Sequence, residues 1–221
     1  MVTSMGNTWI FTIYPAPHPR DIHDDVVSAL LIARNAGYGP RFPTDVMMAD
    51  GWTTVTSADE TTLVSLLTEH GGLVTLWNGS NEDIILSVDV TSGTLSFGAL
   101  RGLIPEDGAA LQLAADLEQI FLRTCERVAA WYGYSTDEWS LESRFRTADE
   151  IRVVFARHER FVRAGQRPCL LFWINYFGRA YWTCIDGLAL TNVGQIEEAK
   201  DGIVIRTDGR PPKVEVLVLD H

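Results

Sequence analysis

Between Leu73 and Ala99 the chain carries three strand-like runs in close succession: Leu73 to Trp77, Asp83 to Val90 and Thr94 to Ala99. The spacers Asn78-Gly79-Ser80-Asn81 and Thr91-Ser92-Gly93 are turn-forming and too short for a helical crossover, so these runs must pair antiparallel. In the middle run Ile84, Leu86, Val88 and Val90 share one face, while Ile85, Ser87 and Asp89 share the other. Side chains alternate across a strand, so this sheet is buried on one face and partly wet on the other, as a single helical layer would leave it.

Helices to form that layer are legible on both sides of the meander. Ile22, Val26, Ala29, Leu30 and Ala33 recur at helical spacing behind Asp21, Asp24 and Asp25, and Gly37 is placed to end the helix. Ser57-Ala58-Asp59-Glu60 has capping-box spacing ahead of Leu63, Leu66 and Leu67, and Gly71-Gly72 is the stop. The longest helix is expected from about Gly108 to Tyr132, ending at Gly133, with Leu113, Leu117, Ile120, Thr124 and Val128 on its apolar side. A second capping box, Thr147-Ala148-Asp149-Glu150, opens a helix carrying Ile151, Val154, Phe155, His158 and Val162, which Pro168 stops. Further strands are expected at Thr8 to Tyr14, around Val46 and Val55, and at Leu170 to Phe177, Tyr181 to Ile185, Ile203 to Thr207 and Val214 to Leu219. The fold class is α+β, antiparallel sheet packed against a layer of helices. The expected organisation is one domain over 1–221, with two similar fused lobes, 1–104 and 105–221, as the alternative.

At 221 residues the chain can bury a core without disulfides or a metal. Its three cysteines, Cys125, Cys169 and Cys184, form no CxxC pair, and Cys169 and Cys184 lie in apolar surroundings. Buried, reduced thiols and a cytoplasmic location follow as expectations. Residues 1–5 offer neither a basic nor an apolar leader segment, and no apolar run nears the roughly 18 residues of a membrane helix, so no membrane partner is expected. The formal charge is −11, a poor match to a nucleic-acid backbone, so no nucleic-acid partner is expected either. The charge is also uneven: residues 1–110 hold four Arg and thirteen acids, net −9, and residues 111–221 net −2. Such a field speeds association with a basic protein partner, or keeps the chain in solution. The oligomeric state is not legible.

Chemistry-bearing residues are sparse. The segment His18-Pro19-Arg20-Asp21-Ile22-His23-Asp24-Asp25 is the one local knot of metal-ligand types, with two imidazoles and three carboxylates, but His18 lies beyond two prolines and His23 is not at i, i+4 from another ligand. A turn followed by dipole-compensating acids accounts for it more simply. His158 reads as a partly buried helical histidine. Arg144, Arg146, Arg152, Arg157, Arg160, Arg163 and Arg167 form a basic stretch with interleaved phenylalanines, and ion pairing with the acidic half is the simplest reading of it. No serine-nucleophile elbow, P-loop or dinucleotide fingerprint is present, and no cofactor is expected.

The densest aromatic segment runs from Leu171 to Trp182. As a strand it puts Phe172, Ile174 and Tyr176 on one face and Trp173, Asn175 and Phe177 on the other, so it is either central in a sheet covered twice, the simpler reading, or presents aromatics to a partner, and a buried Asn175 needs a hydrogen-bond partner. The run Trp173-Ile174-Asn175-Tyr176-Phe177-Gly178 behind a long helix, with the acidic balance, resembles the α+β immunity proteins of bacterial polymorphic toxin systems. The likeness covers the C-terminal half and implies a cytoplasmic, non-enzymatic inhibitor that occludes the basic active cleft of a cognate toxin. It transfers no site residues, because such proteins bind through variable surfaces.

The interface acids expected on this reading are Glu82 and Asp83 in the hairpin, then Glu197, Glu198 and Asp201 in a loop-like stretch. The alternatives are a metal-dependent hydrolase using His18, Asp21 and His23, and a phage or accessory protein that inhibits another bacterial target by the same occlusion.

Overall fold

A computed structural model of the chain describes residues 9–16, 22–79, 83–99, 108–137, 144–145, 147–190, 192–207 and 217–219. The first half runs β1 (Trp9–Tyr14), α1 (Ile22–Asn35), β2 (Thr44–Met48), β3 (Thr54–Ser57), α2 (Glu60–His70), β4 (Gly72–Trp77), β5 (Asp83–Asp89) and β6 (Thr94–Ala99). The second runs α3 (Gly108–Arg127), β7 (Tyr132–Asp137), α4 (Ala148–Arg163), β8 (Leu170–Leu171), β9 (Ile174–Gly178), α5 (Arg179–Cys184), a 3-10 turn (Gly187–Leu190), β10 (Gln195–Ala199), β11 (Gly202–Arg206) and β12 (Leu217–Val218).

Ten strands form one sheet in the order β10-β11-β9-β7-β1-β6-β5-β4-β2-β3, with every neighbouring pair antiparallel; β8 and β12 pair separately. The α+β class with an antiparallel sheet is thus as expected. β1 joins the halves, with Phe11 opposite Phe97 of β6 on one side and Ser135 of β7 on the other.

Helices α1, α2 and α3 cover one face. Val26 and Ala29, Leu63 and Leu67, and Leu117 and Ile120 pack there with Phe11, Val74, Leu86 and Phe97. Under α4 and α5 a second core fills the opposite face, but only of the C-terminal strands, with Tyr132, Tyr134, Phe177, Ile203 and Ile205 at its floor. Every residue of β9 is therefore buried. In β4, β5 and β6 buried positions alternate with half-exposed ones, the single-layer pattern read from the sequence. Among the described residues no helix is long and apolar enough to cross a membrane.

Several local expectations are corrected. The long helix stops at Arg127, not Tyr132, because Ala129 turns left-handed at φ 44° and the aromatic, alternating Tyr132-Gly133-Tyr134-Ser135-Thr136 becomes β7. Gly133 is a strand residue rather than a cap, and a Cβ there would lie 2.8 Å from the ring of Phe121 on α3. The aromatic strand after Leu170 divides into β8 and β9, because Asn175 folds back on Phe172, accepting its N–H (3.0 Å) and donating to its carbonyl. Residues 181–185 are helical rather than extended. Tyr181 is buried between the rings of Trp131 and Phe177, and its hydroxyl donates to the Gln166 carbonyl at 2.6 Å. The N-cap of α2 is Asp59, whose carboxylate accepts the Thr62 N–H, and not Ser57. At α4 the expected cap is in place, with Thr147 accepting the Glu150 N–H.

Candidate protein-docking surface

From Phe42 to Leu100 the chain contains no Lys or Arg and eight acids: Asp45, Asp50, Asp59, Glu60, Glu69, Glu82, Asp83 and Asp89. This stretch builds β2 to β6 and α2, so the sheet carries its negative charge at one end. Cations from outside the stretch touch it at its margins, Arg163 through the Ser92 carbonyl at 3.3 Å among them. Arg34 of α1 pairs with Glu60 at 2.7 Å, and the Arg41 guanidinium lies over the Trp77 ring at 5.0 Å. Opposite-signed fields steer partners over several ångströms, so a one-sided distribution of this kind favours a basic partner at this end.

The β2–β3 turn presents an aromatic at the same end. Asp50 organises it: its carboxylate accepts the N–H groups of Trp52 and Thr53, each at 2.8 Å, and the Thr53 hydroxyl at 2.6 Å. The Thr53 hydroxyl first, then the backbone donors, hold the Asp50 carboxyl below its ordinary range. Asp59 is likewise held low by the Thr62 N–H. Trp52 projects from this turn with 91% of its surface exposed, and Met47 beside it on β2 is 39% exposed. Trp131 and Trp182 are half-buried by contrast, and Trp9 and Trp173 are buried against each other at 5.6 Å. Trp52 stands before β3, which begins at Thr54, rather than inside the strand expected over Trp52-Thr53-Thr54-Val55. The available signal was an Asp-Gly turn followed at once by a tryptophan, with no apolar partner at strand or helix spacing.

The expected interface acids do not converge. Asp83 is half-exposed at the start of β5, opposite Trp77, and Glu82 lies outside the described residues. Glu197 and Glu198 stand on β10 rather than in a loop, at the opposite end of the sheet. Six strand spacings separate β10 from β5, roughly 29 Å at about 4.8 Å each. Glu197 holds Arg206 at 3.1 Å, and Arg206 also pairs with Glu118 of α3. Glu198 is exposed. Asp201 sits in a mixed-charge groove of about 500 Å³ between α1 and α3, with Arg123, Arg127, Lys200 and Glu126.

Of the metal-hydrolase candidates, His18 and Asp21 lie outside the described residues, while His23 is exposed beside Asp24 at 3.5 Å. Among the described residues no three His, Cys, Asp or Glu side chains gather at metal-binding distance. His158 is completely buried rather than partly so, ringed by Tyr132, Tyr134, Phe155 and Phe172. Its Nδ1 accepts the Leu170 N–H at 3.3 Å, and desolvation lowers its pKa to about 3. A neutral imidazole sealed from solvent organises a core. Two arginines of α4 form ion pairs within their own helix, Arg152 with Asp149 at 3.1 Å and Arg163 with Glu159 at 2.9 Å, and Arg163 also reaches into the acidic half, where it donates to the Ser92 carbonyl at 3.3 Å. All three thiols are free, and Cys184 is exposed where burial was expected.

No family model and no curated protein matches the chain. A Pseudomonas aeruginosa T6SS protein, PA0821, shares the fold with a TM-score of 0.52 at 11% identity, over 95% of this chain and 70% of that one. At that identity the likeness is one of fold.

Proposed function

We propose that this chain is a non-enzymatic, acidic binding protein of a bacterial toxin system. On this reading it is an immunity protein that neutralises a basic toxin by covering its active cleft in the cytoplasm. The observation that carries the reading is the segregation of charge: the stretch 42–100 contains no Lys or Arg, and seven of its acids lie on described residues at one end of the sheet, where the exposed Trp52 also stands. Tryptophan and a complementary field are the usual anchors and steering elements of tight interfaces. The fold shared with a T6SS protein supports placing the chain in such a system. The pairing of β1 with β7 and the packing of α3 on α1 support one domain over two lobes.

The test is co-expression with the toxin candidate encoded in the adjacent reading frame. Survival of the producing cells, and co-elution of the two proteins in a 1:1 complex, are the expected results. Unrelieved toxicity with no complex would remove the reading.

A further inference from the structure

We infer that the free edge of β3 receives an extended, basic strand of the partner, with Trp52 as its anchor; this deepens the binding-protein reading and rests on it. β3 ends the sheet, paired with β2 alone among the described residues. The Met48 N–H donates to the Thr53 carbonyl at 2.8 Å. Antiparallel pairs alternate between hydrogen-bonded and non-bonded, so 46 with 55 and 44 with 57 exchange bonds, whereas Thr54 opposite Met47 and Thr56 opposite Asp45 turn their N–H and C=O groups outward. Four backbone groups on an exposed strand thus face away from the sheet, at the spacing a further strand requires.

Sheet edges are normally blunted by lysine, proline, a bulge or inward charge. The β3 sequence, Thr-Val-Thr-Ser, has none of these and is protected only by its four-residue length, while β10 at the other edge carries Glu197 and Glu198. Asp50 stands at one end of β3, Asp59 at the other and Asp45 on the neighbouring strand; all three are exposed. A second copy of this chain would bring these like charges together across an edge-to-edge junction, so charge selects a strand with Lys or Arg at alternate positions. Beyond its end the same partner needs an apolar socket for the Trp52 indole. The turn bonded to Asp50 fixes the backbone that carries the indole before binding, which lowers the ordering cost of the turn.

The experiment titrates the full chain with ten-residue peptides carrying Lys or Arg at alternate positions and Val, Ile or Leu between them, each beside a Glu-substituted counterpart. The readouts are hydrogen exchange at the Thr54 and Thr56 amides and binding affinity. The expected result is at least tenfold slower exchange at both amides with the basic peptides and none with the acidic ones. Trp52→Ala, at an exposed site that the fold does not need, is expected to weaken binding of a basic peptide ending in a Leu-rich turn by about tenfold. Thr56→Pro is expected to abolish it.

Binding that leaves Thr54 and Thr56 exchanging freely would overturn the inference, as would failure of every basic peptide to bind at millimolar concentration. Concentration-dependent protection without any peptide would assign the edge to a second copy instead. If the toxin complex forms while both amides remain unprotected, strand addition fails and the binding-protein reading stands. If no complex forms at all, that reading fails with it.

Discussion

The carboxylate of Asp50 accepts the backbone N–H of Trp52 at 2.8 Å, so the most exposed large apolar side chain among the described residues stands on a hydrogen-bonded turn. Asp50→Ala removes three hydrogen bonds from the turn without touching the core. Partner affinity should fall roughly three- to tenfold through the added cost of ordering the turn that carries the indole, while the melting temperature stays nearly unchanged. Relaxation of the Trp52 amide, measured by NMR, should report the loosened turn directly. Because the Asp50 pKa is lowered in the fold, the turn should stay ordered through mild acid and loosen only as pH falls through that depressed value.

Asn175 is completely buried and links three segments. It accepts from the Tyr132 hydroxyl at 2.9 Å and from the Phe172 N–H, and donates to the carbonyls of Phe172 and Ile205. Asn175→Leu keeps the branched shape at a somewhat larger volume and strands a phenol and a peptide N–H in the core. Each buried, unsatisfied group costs about 1–3 kcal/mol, so a loss of roughly 2–5 kcal/mol is expected in urea unfolding. Tyr132→Phe, which removes only one donor, should cost about 1–2 kcal/mol.

His158 gives the stability a pH signature. Its folded pKa is lowered to about 3, against about 6.5 in an unfolded chain. Between these values the unfolded state binds a proton that the folded state refuses, so stability falls as pH falls, by at most about 1.4 kcal/mol per pH unit from this group. Tyr132 and Tyr134, which face it, have raised pKa values because burial penalises their charged forms, so they stay neutral throughout this window. His158→Asn retains an acceptor for the Leu170 N–H and should flatten the dependence between pH 4 and 6.5, at a lower overall stability.

Gly133 marks the closest approach of the sheet to α3. An added Cβ would meet two carbons of the Phe121 ring and come to 3.0 Å from the Cys125 sulfur. Both residues are completely buried and have nowhere to move. Gly133→Ala should destabilise by about 1–3 kcal/mol through overpacking, and Gly133→Ala with Phe121→Leu should recover part of it. Thermal unfolding of the two variants checks both.

Period and punctuation carried most of the fold. The meander 72–99, α1, α2 and the capped α4 stand where alternation, stripes and caps put them. The failures share one cause: segments whose aromatic content satisfies either period were decided by distant contacts. Trp131 to Thr136 could extend the α3 stripe on paper, but its edge-to-edge fit with β1 and β9 makes it a strand. Residues 181–185 look extended until Tyr181 finds its pocket. The docking surface was half legible: the acidic imbalance of the first half shows in the sequence, whereas its confinement to one sheet end depends on the strand order. Glu197 and Glu198 looked like loop acids because nothing local reveals that β10 pairs with β11 or that Arg206 reaches Glu197.

The most direct test is the association rate between this chain and the proposed toxin partner as ionic strength rises. The acidic sheet end predicts a rate that drops roughly tenfold or more between about 10 mM and 150 mM salt. The doubly reversed variant Asp45→Lys, Asp83→Lys should associate slowly at low salt and lose most of that dependence. A wild-type rate indifferent to salt, or a charge-reversed variant that associates as fast as the native chain, would contradict the proposal.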